Sequence, residues 1–285
     1  MDVEPALTQA ERRKMSFILE TMGKLGYDAM AVGERDLALG VGELKKMAAK
    51  AKVTLLAANL VDKGGKRPFE PRKLVTVGAV KVGLFAVSEG PGFERHGLRA
   101  LPALEQANQQ ARALRKAGAD LVVALLHQDY DSALKTAQKL ERVDFAIQSH
   151  GGRVSSTQTV GKVVLAAGGE RGRSLGRAEF ELGGKGPLFD RAEAKSARLQ
   201  LGHIEQTISK YKQQQQRATA QAEKDHLERL LKTLAKRREE LLAKMEAEAP
   251  AGRNSVLCEL VRLDRRVADD AEIAKAAKEV ESAAR

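Results

Sequence analysis

Leu25-Gly-Tyr-Asp-Ala-Met-Ala-Val-Gly-Glu-Arg-Asp36 is a short apolar strand that runs straight into a glycine turn carrying three charged side chains. Open α/β sheets present their chemistry in this way, at the carboxyl ends of their strands. Two later strands close alike, each on a histidine. They are Ala119-Asp-Leu-Val-Val-Ala-Leu-Leu-His127 and Val143-Asp-Phe-Ala-Ile-Gln-Ser-His150, the second followed by Gly151 and Gly152. These three ends are expected to converge on one site.

The flanking sequence supports an alternating α/β order. Upstream, Thr8 with Glu11 three residues on is a capping signature, and Met15, Ile18, Leu19, Met22 and Leu25 follow at helical spacing. Downstream, residues 41–52 read as a helix and residues 53–60 as one buried strand. A turn-rich loop leads to a hairpin of residues 73–77 and 80–87, split at Gly78. A helix over 101–116, a strand over 120–126, a helix over 132–140 and a strand over 144–148 continue the pattern. Residues 163–167 and 177–182 are two more strands. The glycine-rich run Gly168-Gly-Glu-Arg-Gly-Arg-Ser-Leu-Gly176 joins strand to strand, so it reads as a turn; a phosphate cradle needs a helix N-terminus behind it.

From about Asp190 to Ala249 the composition changes. Ile204, Ile208, Tyr211, Ala218 and Ala222, then Leu227, Leu231, Leu234, Leu241 and Met245, lie at coiled-coil spacings among Lys, Arg, Glu and Gln. The apolar phase slips around residues 221–225, which predicts two helices folded back on each other rather than one rod. A strand over 255–263 and a helix over 269–284 follow. The expected organisation is an α/β domain over residues 1–189, an inserted antiparallel helical hairpin over 190–249, and over 250–285 the closing strand and helix of the same α/β domain. The hairpin's charges are read as a solvated face, with partner docking or self-association as its functional alternative.

The totals exclude several classes. The 285 residues are 43% apolar, enough for a core, while 31% are charged, aromatics are only 4% and Trp is absent, as a long solvated helical segment requires. No apolar run reaches the roughly 20 residues of a membrane span, and no signal peptide is read at the start. The single Cys258 rules out an internal disulfide, and its apolar surroundings make it a structural thiol. A net charge of +11 raises nucleic acid as a partner. Its basic residues are dispersed, however, with three Tyr and seven Phe for stacking, so no specific nucleic-acid binding is expected.

Two strand-end histidines beside an acidic turn are the ligand types of a divalent-metal site. The residues alone leave a second reading open, in which each histidine is simply hydrogen-bonded at the sheet rim. Residues 20–183 resemble the calcineurin-like metallophosphoesterase domain of the 5'-nucleotidase family. Leu25 to Asp36 is similar to the family's Leu-Gly-Tyr-Asp-Ala run ending in Gly-Asn-His-Glu, and Ala57-Ala-Asn59 to its Ser-Ala-Asn strand end. Leu121 to His127 resembles its strand ending on a metal-binding histidine, Ser149 to Gly152 its Gly-His-x-His motif, and Ala167 to Gly176 its glycine turn. The resemblance resumes past the hairpin at Leu263-Asp264 and Asp269 to Ile273.

The resemblance implies an α/β/β/α sandwich and metal-dependent hydrolysis of phosphate esters. It carries metal-ligand positions onto His127 and His150, and places Glu34 where the family has a ligand Asn; a carboxylate oxygen also suits a hard cation. Arg35 stands in place of the histidine that serves catalysis. It holds a phosphate but stays protonated, so it is no general acid near neutrality. Gly152 replaces a further ligand. The family's opening Asp-x-His and Gly-Asp strands have no counterpart before residue 10, so the resemblance reads the chain as N-terminally truncated. The expectation is therefore one ion at most, of manganese, zinc or similar, and a phosphate-ester substrate met by weak or lost activity. The alternative is a non-catalytic scaffold that uses the hairpin for protein contacts. By resemblance the compartment is the periplasm or cell envelope.

Overall fold

The computed structural model describes residues 8–151, 154–169, 172–246 and 252–282. They form two compact units. The first takes in the described residues up to Ser155, Val160–Leu175 and those from Val261 onward; the second is Ser156–Thr159 with Gly176–Leu260.

The first unit opens with α1 (Gln9–Lys24), set by a reciprocal cap: Glu11 N–H donates to Thr8 Oγ1 (3.2 Å) and Thr8 N–H to Glu11 Oε2 (2.7 Å). It continues through β1 (Ala29–Ala31), a 3-10 turn over Glu34–Leu39, α2 (Val41–Ala51), β2 (Thr54–Leu56), β3 (Leu60–Asp62), β4 (Arg72–Val77) and β5 (Val80–Ser88). After β6 (Leu98–Ala100) come α3 (Ala103–Lys116), β7 (Leu121–His127), α4 (Tyr130–Lys139), β8 (Phe145–Ser149), β9 (Val154–Val160) and β10 (Val163–Gly168). The main sheet has the order β4-β5-β7-β8-β10-β9, in which β5, β7, β8 and β10 are parallel and β4 is antiparallel to β5. α3 and α4 bury Ala107, Ala111, Leu114, Ala133 and Ala137 with Phe85, Val122, Ala124 and Leu126 of the sheet. A second core joins Leu19, Leu44 and Ala48 of α1 and α2 to Leu55, Val32 and Leu37. Small residues on the helices let them lie close on the sheet, and burial of such runs supplies the main driving force.

The alternation follows the sequence reading, except that β6, β9 and the later strand Lys185–Asp190 were not expected and one expected strand is broken. The expected single strand over residues 53–60 is broken into β2 and β3. Ala57 N–H turns to Glu70 O (3.0 Å) and Ala58 N–H to Ala86 O (2.8 Å), so the chain leaves β2's ladder. The fully buried Asn59 fixes the break: its Nδ2 donates to Ser88 O (2.8 Å) and Leu101 O (3.2 Å), and its Oδ1 accepts from Ser88 N–H (2.9 Å). At the opposite strand ends, Arg115 donates to Ala119 O, Asp120 O and Asp144 Oδ2, and Asp144 Oδ2 also accepts Val122 N–H.

In the second unit, β11 (Ser174–Glu181) leads to β12 (Lys185–Asp190), α5 (Arg191–Arg217), α6 (Gln221–Glu246) and β13 (Arg253–Arg262); α7 (Ala271–Ser282) closes the chain in the first. The sheet order is β11-β13-β12. β12 and β13 are parallel neighbours, with Asp190 opposite Val256, and parallel neighbours require a crossover. α5 and α6 are that crossover. Asp190 Oδ1 caps α5 by accepting from Ala192 N–H and Glu193 N–H. The helices run antiparallel, linked by Arg238 Nε to Glu205 (3.2 Å) and packed through Ala197, Leu201 and Leu241. The reversal at Ala218–Ala220 precedes the phase slip seen in the sequence. Cys258 on β13 is half-buried, and burial followed by the nearby Asp190 charge pushes its thiol up to about 12, which leaves it inert as a nucleophile. The strand-to-strand turn expected over 168–176 connects β10 to β11; its Glu170 and Arg171 lie outside the described residues, as does Gly152. Among the described residues no helix is long and apolar enough to cross a membrane.

Candidate metal centre

The site is built at the carboxyl ends of the parallel strands by register. Ser88, His127 and Ser149 lie opposite one another as the last residues of β5, β7 and β8. β1 is brought to the same edge by two bonds: Val32 N–H donates to Leu56 O (3.1 Å), and Ser88 Oγ donates to Val32 O (2.6 Å). The next residue, Gly33, opens the 3-10 turn, which is held by Gly33 N–H donating to Asp36 Oδ2 (2.8 Å) and by the buried Leu37. Asp36 is thus a supporting group. Burial pushes its carboxyl above the ordinary value against the opposing Gly33 bond.

These constraints bring Glu34, His127 and His150 together, with one ligand-type atom from each lying within 4.8 Å of the others. His127 Nε2 is 2.9 Å from Glu34 Oε2, and His150 Nδ1 is 3.9 Å from Glu34 Oε1. The two imidazoles stand edge to face at 4.9 Å between centroids. Two ligand atoms about 2.1 Å from one tetrahedral ion lie about 3.4 Å apart, so the two Glu34 spans, 2.9 and 3.9 Å, bracket that separation. His127 also has its other nitrogen, Nδ1, 3.4 Å from Ser149 Oγ. In this structure the Nε2 proton is shared with Glu34; a cation would displace that proton, leaving Nδ1–H directed at Ser149, the arrangement that orients metal-bound histidines. The Glu34 carboxyl is half-buried. Burial pushes it up, but the His127 bond, its own backbone and the charges of both histidines outweigh that and hold it below the ordinary value.

Gly33 makes this packing possible. A Cβ there falls 2.6 Å from His127 Cε1 and 2.7 Å from Nε2, although the backbone, at φ −98°, accepts any residue. Gly33→Ala is expected to push the imidazole off Glu34 without backbone strain. Zinc affinity measured by titration calorimetry should fall about 10-fold, the lower range for losing a ligand's orientation, with the circular dichroism spectrum unchanged.

The sequence-read residues do not all face the same way. Glu34, His127 and His150 converge. The Arg35 side chain is 94% exposed, with Nε 3.9 Å from Glu34 Oε1. The supporting roles of Asp36, Ser88, Ser149 and Asn59 were not read in the sequence; the polar residue ending each apolar strand was the available signal.

No family model matches the chain. It is 28% identical over 161 residues to a snake venom 5'-nucleotidase of Gloydius brevicauda, a match that covers 53% of this chain and 27% of that protein. Rattus norvegicus 5'-nucleotidase is 28% identical over 139 residues, 45% of this chain and 24% of its own length. The chain thus spans about a quarter of the length of these curated relatives. Among solved structures, the calcineurin-like phosphoesterase YfkN from Bacillus subtilis is similar over 97% of this chain and 77% of that one, with a TM-score of 0.63 at 14% identity. A 5'-nucleotidase precursor from Thermus thermophilus gives 0.52 over 60% and 39%, at 24% identity. The chain has the α/β fold of the calcineurin-like phosphoesterases, and over half its length its sequence resembles 5'-nucleotidases. At the ends of its parallel strands this chain holds a His/Glu cluster of the ligand types that divalent cations take.

Proposed function

We propose that this chain is a 5'-nucleotidase-like phosphoesterase domain that binds one divalent cation, manganese, zinc or similar, through Glu34, His127 and His150. In this reading it accepts a phosphate ester and hydrolyses it weakly or not at all. The convergence of two imidazoles and one carboxylate at the ends of parallel strands carries the reading. The donor set fits a borderline or hard cation. Bound there, such an ion supplies Lewis-acid polarisation of a phosphoryl oxygen and an acidified water.

The remaining steps belong to the chain's own groups. Ser149 and Asp36 orient His127 and the Glu34 turn, as described above. Arg35, exposed beside Glu34, attracts the phosphate dianion but keeps its proton, so the leaving oxygen receives no proton from it. A phosphate held with no general acid beside it turns over slowly. Export to the periplasm or cell envelope belongs to the same reading, supported by relatives described as a venom protein and as a precursor.

The outward direction of Arg35 favours a second reading, a non-catalytic module in which the hairpin of residues 190–249 contacts a protein partner. Leu199 on α5 is 65% exposed. One experiment separates the two. The purified chain is soaked in manganese or zinc, its metal content is read by mass spectrometry, and hydrolysis of an aryl phosphate is followed. Near-stoichiometric metal with measurable turnover supports the phosphoesterase reading; metal-free, inactive protein leaves the module reading. For an active chain, Arg35→Ala should lower kcat/KM about 10-fold at low salt through lost phosphate attraction. The deficit should shrink as salt screens this exposed charge, while metal content stays unchanged.

A further inference from the structure

Gln148 is the penultimate residue of β8 and only 3% exposed, yet its side chain belongs to neither hydrophobic core. Its Nε2 donates to two main-chain carbonyls, Gln128 O at 2.8 Å and His150 O. A primary amide has two N–H groups, and both are used. Gln128 follows His127 directly, so one carboxamide ties the chain just past the first histidine to the second. The ladder bond from Gln128 N–H to Ser149 O (3.1 Å) and the bond from Glu89 N–H to His127 O (2.9 Å) fix the His127 side of this tie. The other side is less constrained. β8 ends at Ser149, and His150 has φ +90°, a conformation that a residue with a Cβ rarely adopts. Such a backbone persists where its surroundings over-determine it. The Gln148 carboxamide holds the His150 carbonyl in that orientation.

We propose that Gln148 is the positioning residue of the metal centre, its carboxamide setting His150 at the distance and angle from His127 at which both imidazoles share one ion with Glu34. The proposal deepens the metal-binding reading above and rests on it. Gln148 touches neither the ion nor a substrate; it acts through His150. The length of the side chain matches this role. An asparagine is one methylene too short to span both carbonyls, and a methionine fills the same volume with no donor.

The test uses the full chain and the variants Gln148→Met, His150→Ala and the double variant. Zinc affinity is measured by competition with a chromophoric chelator. Gln148→Met is expected to weaken zinc binding 10- to 100-fold in the otherwise native chain, as loss of a ligand's supporting bond does. In the His150→Ala background it should cost less than 3-fold. Equal losses in both backgrounds would overturn the proposal, because a merely structural residue weakens binding whether or not His150 is present.

A second arm needs no metal. The chain has five histidines, so the ring protons of His127 and His150 are separable by NMR in the apo protein. The inter-ring cross-peak expected at a 4.9 Å centroid separation should be present in the native chain and lost in Gln148→Met. Its survival would overturn the positioning role even in a protein that binds zinc. A native chain that shows the cross-peak but takes up no zinc would sink the metal-binding reading and leave the geometric role of Gln148 standing.

Discussion

His127→Ala is expected to abolish the proposed cation binding, with affinity for manganese or zinc falling more than about 100-fold, beyond the range for removing a mere supporting bond. His127 is the hinge of the cluster. Its Nε2 meets Glu34 at 2.9 Å, its Nδ1 reaches Ser149, and its ring stands against His150. Alanine leaves His150 and a carboxylate, too few donors to displace several waters from a cation. The second consequence is electrostatic. In the native chain, burial raises the Glu34 carboxyl while His127 and His150 lower it, and the lowering wins. A depressed folded pKa contributes stability that is present above the ordinary carboxylate range and is lost as pH falls through the folded value. Without His127 the largest opposing contact disappears and burial dominates, so the Glu34 pKa rises. The sign of its contribution then reverses: the variant is penalised at neutral pH and recovers part of the deficit as Glu34 protonates. Urea unfolding of the apo proteins at pH 7 and pH 4.5 checks this, with a smaller gap between native and variant expected at the lower pH. Equal gaps at both pH values would show that His127 does not hold Glu34 ionised.

Much of this site was legible in the sequence because its three principal residues close apolar runs. Leu121 to Leu126 and Phe145 to Ile147 are too apolar for loops and too short for helices, so the polar residues that follow them must stand at or near a sheet rim. The glycine before Glu34 marks where β1 stops. Local pattern does not encode which rim residues meet. That depends on strand order and register, here the row Ser88, His127 and Ser149, together with the tie from Ser88 to Val32. The break at Asn59 was invisible for a related reason. Residues 55–58 are uniformly apolar up to Asn59, and only tertiary hydrogen bonds show that Ala57 and Ala58 leave the ladder. β6, β9 and β12 were missed because Leu-Arg-Ala, Val-Ser-Ser-Thr-Gln-Thr-Val and Lys-Gly-Pro-Leu-Phe-Asp lack the apolar runs that marked the other strands. α5 and α6 meet close to where the apolar repeat changes phase, since apolar positions that change phase cannot stay on one face of a single rod.

Asn59→Leu is expected to be the most destabilising substitution in the first unit. Asn59 is fully buried, and its side chain makes three main-chain bonds, donating to Ser88 O and Leu101 O and accepting from Ser88 N–H. Leucine keeps the volume but supplies none of them. Each buried group left without a partner costs about 1–3 kcal/mol, and leucine's extra apolar burial offsets part of the sum. A loss of about 4 kcal/mol is expected, or roughly 10 °C in the thermal midpoint for a chain of this size. The effect should reach the metal centre. Ser88 Oγ holds Val32 O, and Val32 precedes the Gly33-Glu34 turn, so a loosened Ser88 frees the carboxylate and weakens zinc binding about 10-fold. Asn59→Asp separates the donor from the acceptor. The introduced carboxylate, when ionised, still accepts from Ser88 N–H but turns a negative oxygen toward Ser88 O and Leu101 O, so it should be at least as damaging at pH 7. Burial raises its pKa. Stability tied to a raised pKa is present at low pH and lost as pH rises through the folded value. The Asn59→Asp deficit should therefore shrink between pH 7 and pH 5, as protonation restores one donor, while the Asn59→Leu deficit stays constant. A pH-independent deficit in both variants would mean that volume, and not the two donated bonds, holds the strand ends together.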